Sequence, residues 1–209
     1  MGNIFPYRLR FEKTGKMRFL SHHDLMRLFE RAIRRSGLPI RMTEGYNPHP
    51  ILSFPTALGL GIESVDEVME IELSCWEPPK KLEERLTGQL PDGIRIRTVE
   101  PYLRKERCFV DFVEYEVEAE GQTNGMEDRI ASFFDQKEHV ITRNLGKREK
   151  TVDIRPYVLA VEAEEGKILL RIRVTDTGSA RPDEVLKAVG VEVREDVRIR
   201  KTYTELKLR

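Results

Sequence analysis

The hydrophobic patterning predicts an α+β protein of two tandem ferredoxin-like (βαββαβ) modules with antiparallel sheets. Three observations carry that expectation. Period-two and period-3.6 apolar patterns follow one another in the order β-α-β-β-α-β over the first half of the 209-residue chain. The same order returns in the second half without visible sequence identity. Between the halves, Pro101 and the charged run Arg104-Lys105-Glu106-Arg107 interrupt the apolar pattern. The modules are therefore expected at residues 1–103 and 104–209.

In the first half, Tyr7, Leu9 and Phe11 alternate with Arg8, Arg10 and Glu12, which makes a strand with one buried face. Ser21 precedes His22, His23 and Asp24, a variant of the capping box that opens a helix running to about Ser36. Leu25, Phe29, Ala32 and Ile33 form its buried stripe, and Gly37 with Pro39 stops it. An irregular stretch, Glu44 to Pro50, leads to the small-residue run 57–61. Val68–Leu73 alternates as a strand, Pro78-Pro79 introduces a helix with Leu82, Leu86 and Leu90 on one face, and Ile94, Ile96 and Val99 mark a closing strand.

In the second half, Phe109, Val113, Tyr115, Val117 and Ala119 are expected on one strand face, opposite a row of glutamates. Met126, Ile130, Phe133 and Phe134 mark a helix. Residues 139–143 and 151–154 pair as an inserted hairpin across the basic turn 144–150, and 158–163 pairs with 168–174 across Glu164-Glu165-Gly166-Lys167. Pro182 suits a helix first turn, with Val185, Leu186 and Val189 following. A terminal strand begins at Val197, with Arg198, Arg200 and Lys201 partly outward.

Thirty-six basic residues balance 36 acidic ones, so the formal net charge is zero. That excludes a wholly basic nucleic-acid binder and an acidic disordered tail. The balance hides an asymmetry. Residues 1–60 hold ten basic and four acidic residues, a net of +6, and residues 61–209 hold the compensating −6. The acids begin abruptly with Glu63, Asp66, Glu67, Glu70, Glu72 and Glu77. No apolar run approaches the roughly 18 residues of a membrane span, and the N-terminus does not read as a secretory signal, so a cytoplasmic protein is expected. Cys75 and Cys108 lie far apart, a spacing for neither a zinc ribbon nor a redox pair, and are expected to be reduced thiols.

Three groups of residues can carry chemistry. His23, Arg27, Arg31 and Arg34 are spaced four, four and three, along one helical stripe flanked by Arg35. Their span of about 16 Å matches successive phosphates better than one small anion. Glu30 is the acid placed to neutralise part of it. A solvated amphipathic face has the same pattern. Second, Ser21, His22 and His23 sit where helix N–H groups and the dipole favour an anion. Simple capping needs the same residues, and adjacent histidines point in different directions, which disfavours a shared metal. Third, prolines flank His49 in Glu44-Gly45-Tyr46-Asn47-Pro48-His49-Pro50 and stiffen its backbone. There Tyr46 can stack on a base and Asn47 can read a base edge, or the loop can be a tight structural turn. No Walker A loop, serine elbow or His-Glu-x-x-His occurs.

The run Lys16 to Arg27, then Arg34-Arg35-Ser36-Gly37-Leu38-Pro39, Glu44 to Pro50, Ser53-Phe54 and Gly59 to Ser64 resembles the uncharacterised radical-SAM-linked (radical-SAM-associated) protein family. The likeness covers nearly the whole chain, with Asp153-Ile154-Arg155-Pro156 matching in the second half. It implies partnership with a radical-SAM protein, in a genomic setting with RNA-processing genes, and it supplies no catalytic residues. This chain has no CxxxCxxC signature for a 4Fe–4S cluster, so such chemistry would belong to the partner. The tandem architecture also resembles the CRISPR-repeat-processing endoribonucleases, which carry a glycine-rich loop near the C-terminus. The residues after Gly190 do not supply one.

The leading expectation is an accessory protein without a cofactor or metal of its own, which binds tRNA or rRNA for a radical-SAM modification enzyme. Arg18, Arg27, Arg31, Arg34, Arg35 and Arg41 would contact RNA, Ser21, His22 and His23 would hold a phosphate, and Tyr46, Asn47 and His49 would handle an exposed nucleotide. Two alternatives stay open. One is a metal-independent endoribonuclease in which His49 or His22 deprotonates a 2′-hydroxyl while Tyr46 or an arginine steadies the phosphorane. The other is a protein-interaction module whose acidic 63–77 segment docks a basic partner.

Overall fold

Alternation of apolar and charged residues makes β1 (Phe5–Lys13), the strand on which the first half is built. A computed structural model describes residues 3–103, 108–144, 146, 148–194 and 197–208. The expected junction run Arg104-Lys105-Glu106-Arg107 and parts of the basic turn 144–150 lie outside the described residues. The chain is a mixed α+β protein with mostly antiparallel sheet, and 11 strands and four α-helices occur among the described residues. It divides into two compact units, residues 1–109 with 206–209 and residues 110–205. Among the described residues no helix is long and apolar enough to cross a membrane.

The first unit contains β1, α1 (His22–Ser36), β2 (Leu52–Ser53), β3 (Glu63–Leu73), α2 (Pro79–Thr87) and β4 (Ile94–Pro101). Within it the strand order is β4-β1-β3-β2, and β1 with β3, β1 with β4 and β2 with β3 pair antiparallel. Tyr7, Leu9 and Phe11 are wholly buried and pack with Leu25, Phe29, Ala32 and Ile33 of α1 and with Leu82 and Leu86 of α2. Phe11 meets Phe29 edge-on at 5.0 Å, and Phe54 closes the aromatic cluster at 6.0 and 5.8 Å from them. Burying one such phenyl ring contributes about 1.5–3 kcal/mol, and an edge-on pair about 0.5–1.5 more. Ser21 caps α1 through its hydroxyl, and Gly37 ends the helix with a left-handed φ of 63°. Leu90 is half-buried and lies beyond the end of α2.

The second unit contains most of β5 (Cys108–Glu118), α3 (Met126–Asp135), the hairpin β6 (Val140–Asn144) with β7 (Glu149–Asp153), β8 (Val158–Glu164), β9 (Lys167–Thr175), the short β10 (Gly178–Ser179), α4 (Pro182–Ala188) and most of β11 (Arg198–Leu208). Its order is β8-β9-β5-β11, with β6 and β7 forming a separate two-stranded sheet. Two sequence expectations are corrected here. Val110 is buried whereas Phe109 is exposed, because the inward parity of β5 changes between Val110 and Val113. Lys201 is buried rather than outward, because it shares strand parity with Val197 and Ile199 and opposes Arg198 and Arg200.

Candidate functional site

The start of α1 is built on a buried cation. Lys13 continues the inward parity of Tyr7, Leu9 and Phe11 and is 1% exposed. Its Nζ donates to the Leu20 carbonyl at 2.9 Å and the Arg18 carbonyl at 3.4 Å. Burial pushes its pKa below the ordinary lysine value, and the charge of Glu67 opposes that shift. Lys13 thereby pins both ends of the segment that leads into the helix. Residues Gly15–Phe19 form a 3-10 turn, and Gly61 N–H donates to the Arg18 carbonyl at 2.9 Å. Gly93 fits against this turn: a Cβ there would lie 2.6 Å from the Thr14 carbonyl oxygen.

Ser21 Oγ accepts from Asp24 N–H at 3.2 Å and donates to the Asp24 carboxylate at 2.7 Å. The capping reading of Ser21 and Asp24 therefore has direct geometry. His22 lies edge-on to Phe54 at 5.6 Å and to His23 at 6.1 Å, while His23 is exposed. The structure thus brings the first two motif segments together with Phe54 and the 59–61 loop.

The arginines of the N-terminal segment fall into two classes. On β1 and in the turn and hairpin beside β3 they are matched. Arg8 pairs with Glu70 at 2.9 Å, Arg10 with Asp66 at 2.5 Å, Arg18 with Glu63 at 3.6 Å and Arg41 with Glu72 at 2.5 Å. Glu77 similarly receives Lys81 at 3.3 Å and Arg85 at 3.2 Å. Much of the acidic run 63–77 is therefore neutralised within its own unit. On α1 the charges are left over. Arg27, Arg31 and Arg34 are exposed, and none has an ion-pair or hydrogen-bond partner among the described residues. They oppose the buried face of Leu25, Phe29, Ala32 and Ile33. Arg35 differs, since its guanidinium donates to the Gln89 carbonyl at 2.8 Å.

The loop with His49 is a small hairpin on the edge of β3. Arg41 N–H donates to the Glu72 carbonyl at 2.8 Å and Glu72 N–H to the Ile51 carbonyl at 3.2 Å. Thr43 N–H donates to the His49 carbonyl at 2.8 Å, and His49 N–H to Thr43 Oγ1 at 3.0 Å. The backbone of His49 is fixed, while Tyr46, Asn47 and the His49 side chain are exposed. No hydrogen bond or ring contact joins His22 to His49, and neither imidazole has a carboxylate partner among the described residues. Among those residues no group of three His, Cys, Asp or Glu side chains could hold a metal ion. Neither Cys75 nor Cys108 is in a disulfide among the described residues.

Two site residues escaped the sequence reading, Lys13 and the exposed Phe19. The signal for Lys13 was parity, one step beyond Phe11 on the inward face. Phe19 gave no local signal, because an apolar residue beside Leu20 reads as core.

Residues 6–182 match the family described as "Uncharacterized protein conserved in bacteria" (DUF2344), and the chain belongs to that family. No curated protein matches it. Among solved structures it is similar to an unknown protein from Galdieria sulphuraria, with 14% identity over 99% of each chain and a TM-score of 0.29. A likeness at that score carries no argument about fold or function.

Proposed function

We propose that this member of an uncharacterised bacterial family binds RNA, a tRNA or rRNA, through the solvent face of α1, as a cytoplasmic accessory to a radical-SAM modification enzyme. The observation that carries the reading is the row Arg27, Arg31 and Arg34, without partners among the described residues on a unit where Arg8, Arg10 and Arg41 are matched by acids. A row of fixed cations on a helix is suited to successive phosphates, and releasing their counterions drives the binding. Ser21, His22 and His23 extend the row toward the helix start, and Tyr46, Asn47 and His49 stand exposed on the neighbouring hairpin. We read the two units as ferredoxin-like modules. The strand orders β4-β1-β3-β2 and β11-β5-β9-β8 support this, with β6–β7 as an insertion.

The test is direct binding. The purified chain should retain labelled cellular tRNA or rRNA at low salt, and Arg27→Ala/Arg31→Ala should weaken it. Pull-down from the native host should recover a radical-SAM protein. Absence of RNA binding by the wild-type chain at low salt would refute the reading.

A further inference from the structure

We infer that Phe19 is a base-stacking platform at the N-terminal end of the arginine row, so that this face takes unpaired nucleotides of a single strand rather than a duplex. The inference rests on the RNA-binding reading above and deepens it.

Phe19 is 60% exposed, and it makes no aromatic ring contact among the described residues. Exposing a ring that could be buried forgoes about 1.5–3 kcal/mol. Its exposure is not the fraying of a loose loop. The carbonyls of Arg18 and Leu20, on either side of it, both accept from the buried Lys13 Nζ. Met17 N–H closes onto the Thr14 carbonyl at 3.1 Å, Leu20 N–H onto the Met17 carbonyl at 2.9 Å, and Gly61 N–H onto Arg18. A buried lysine thus holds a phenyl ring outward.

The ring is also oriented. The Arg18 guanidinium lies 4.7 Å from its centroid, and Arg18 is steadied by Glu63, which in turn accepts from Gly15 N–H at 3.0 Å. One ring face is covered by a cation, and the other is left for a flat apolar ligand. Leu60, 68% exposed, adjoins Gly61 in the segment hydrogen-bonded to Arg18. Phe19 stands two residues before the cap Ser21 and four before His23, where the cationic stripe begins.

Charge complementarity fixes the occupant. A flat ring beside Arg18 and at the head of an unpaired arginine row suits a base whose own strand carries phosphates. In a duplex the base faces are stacked on one another and closed to an aromatic side chain, whereas in a single strand they are open to it.

The test uses the full chain with a labelled unstructured RNA oligonucleotide and the corresponding duplex. Anisotropy titrations are run between about 50 and 200 mM salt. The single strand should bind more tightly. Phe19→Ala should weaken its binding by roughly 5- to 140-fold, the loss of one stacked base, while leaving the salt slope unchanged. Phe19→Trp should restore affinity. Thermal melting checks that both variants stay folded, as expected for an exposed position. If the duplex binds better, or Phe19→Ala binds the single strand like wild type, the stacking inference is overturned while the arginine row keeps its role. If the wild type binds neither RNA, the functional reading falls and the inference with it.

Discussion

Removing Arg27, Arg31 and Arg34 together should change the salt dependence of RNA binding by a calculable amount. Each is exposed and lacks a partner among the described residues, so each is free to neutralise one phosphate. For single-stranded nucleic acid each such contact contributes about −0.7 to the slope of log affinity against log salt. The triple alanine variant should therefore have a slope shallower by about 2. Raising salt from about 50 to 200 mM should then cost the wild type roughly 20-fold more affinity than the variant. Alanine is the best helix former, so the variant should fold at least as stably. Arg97→Gln is the matched control, because Arg97 is already paired with Glu12 at 2.5 Å. Anisotropy titrations at four or more salt concentrations measure both slopes. An unchanged slope in the triple variant, or an equal change in the control, would refute the assignment of the phosphates to this face.

Three further outcomes follow from the packing. Ser21→Ala removes the cap of α1 and should lower stability by about 1 kcal/mol in urea unfolding, with the loss of amide protection confined to the first helical turn. Lys13→Met should cost about 1–3 kcal/mol, because the Leu20 carbonyl loses its buried donor. The same variant has a pH signature. Burial lowers the Lys13 pKa in the folded chain, so the unfolded chain holds its proton to higher pH. Wild-type stability should therefore gain a rising component with pH, between the lowered pKa and the unfolded value of 10.5. Comparison of alkaline unfolding curves should show that component missing from Lys13→Met. Glu184→Ala should detach β6 from α4, because Glu184 accepts Arg143 Nε and Nη2 at 2.7 Å each and the Arg181 N–H at 2.8 Å. A loss of about 2–3 kcal/mol is expected, with faster hydrogen exchange across residues 140–153.

The helix α1 was legible because its signals are local: a capping serine, an apolar stripe at period 3.6 and a glycine that accepts a positive φ. The strand β2 was not legible, since its two residues carry no period and exist only by pairing with Ile71 and Glu70. Parity explains the misplaced lysine: Lys201 is polar by composition but inward by position. The basic candidates were legible as residue types, yet their division into matched and unmatched could not be read. Arg8 stands opposite Glu70 in the β1–β3 register, 62 residues away in sequence, and Arg10 reaches diagonally to Asp66. That matching belongs to sheet register, a tertiary property.

Register also explains why the helix is where the excess charge resides. Antiparallel pairing sets Arg8 and Arg10 of β1 against acids of β3, so these charges are matched while the exposed arginines of α1 are not. A helix face meant only for solubility mixes signs at i,i+4. Here Arg27, Arg31 and Arg35 repeat one sign at that spacing, and each such pair destabilises the helix by about 0.2–0.5 kcal/mol. Asp24 is occupied by Ser21, which leaves Glu30 as the acid within the stripe. Only the Arg34 and Arg35 charges are favoured by the helix dipole, at the last turn. The capped ends and the buried Phe29 offset the repulsion, and a polyanion would remove it. Moderate salt should then raise the melting temperature of the free chain and weaken its hold on RNA. The triple alanine variant should show less of both effects, a pairing of signs that neutral solvated helices do not produce.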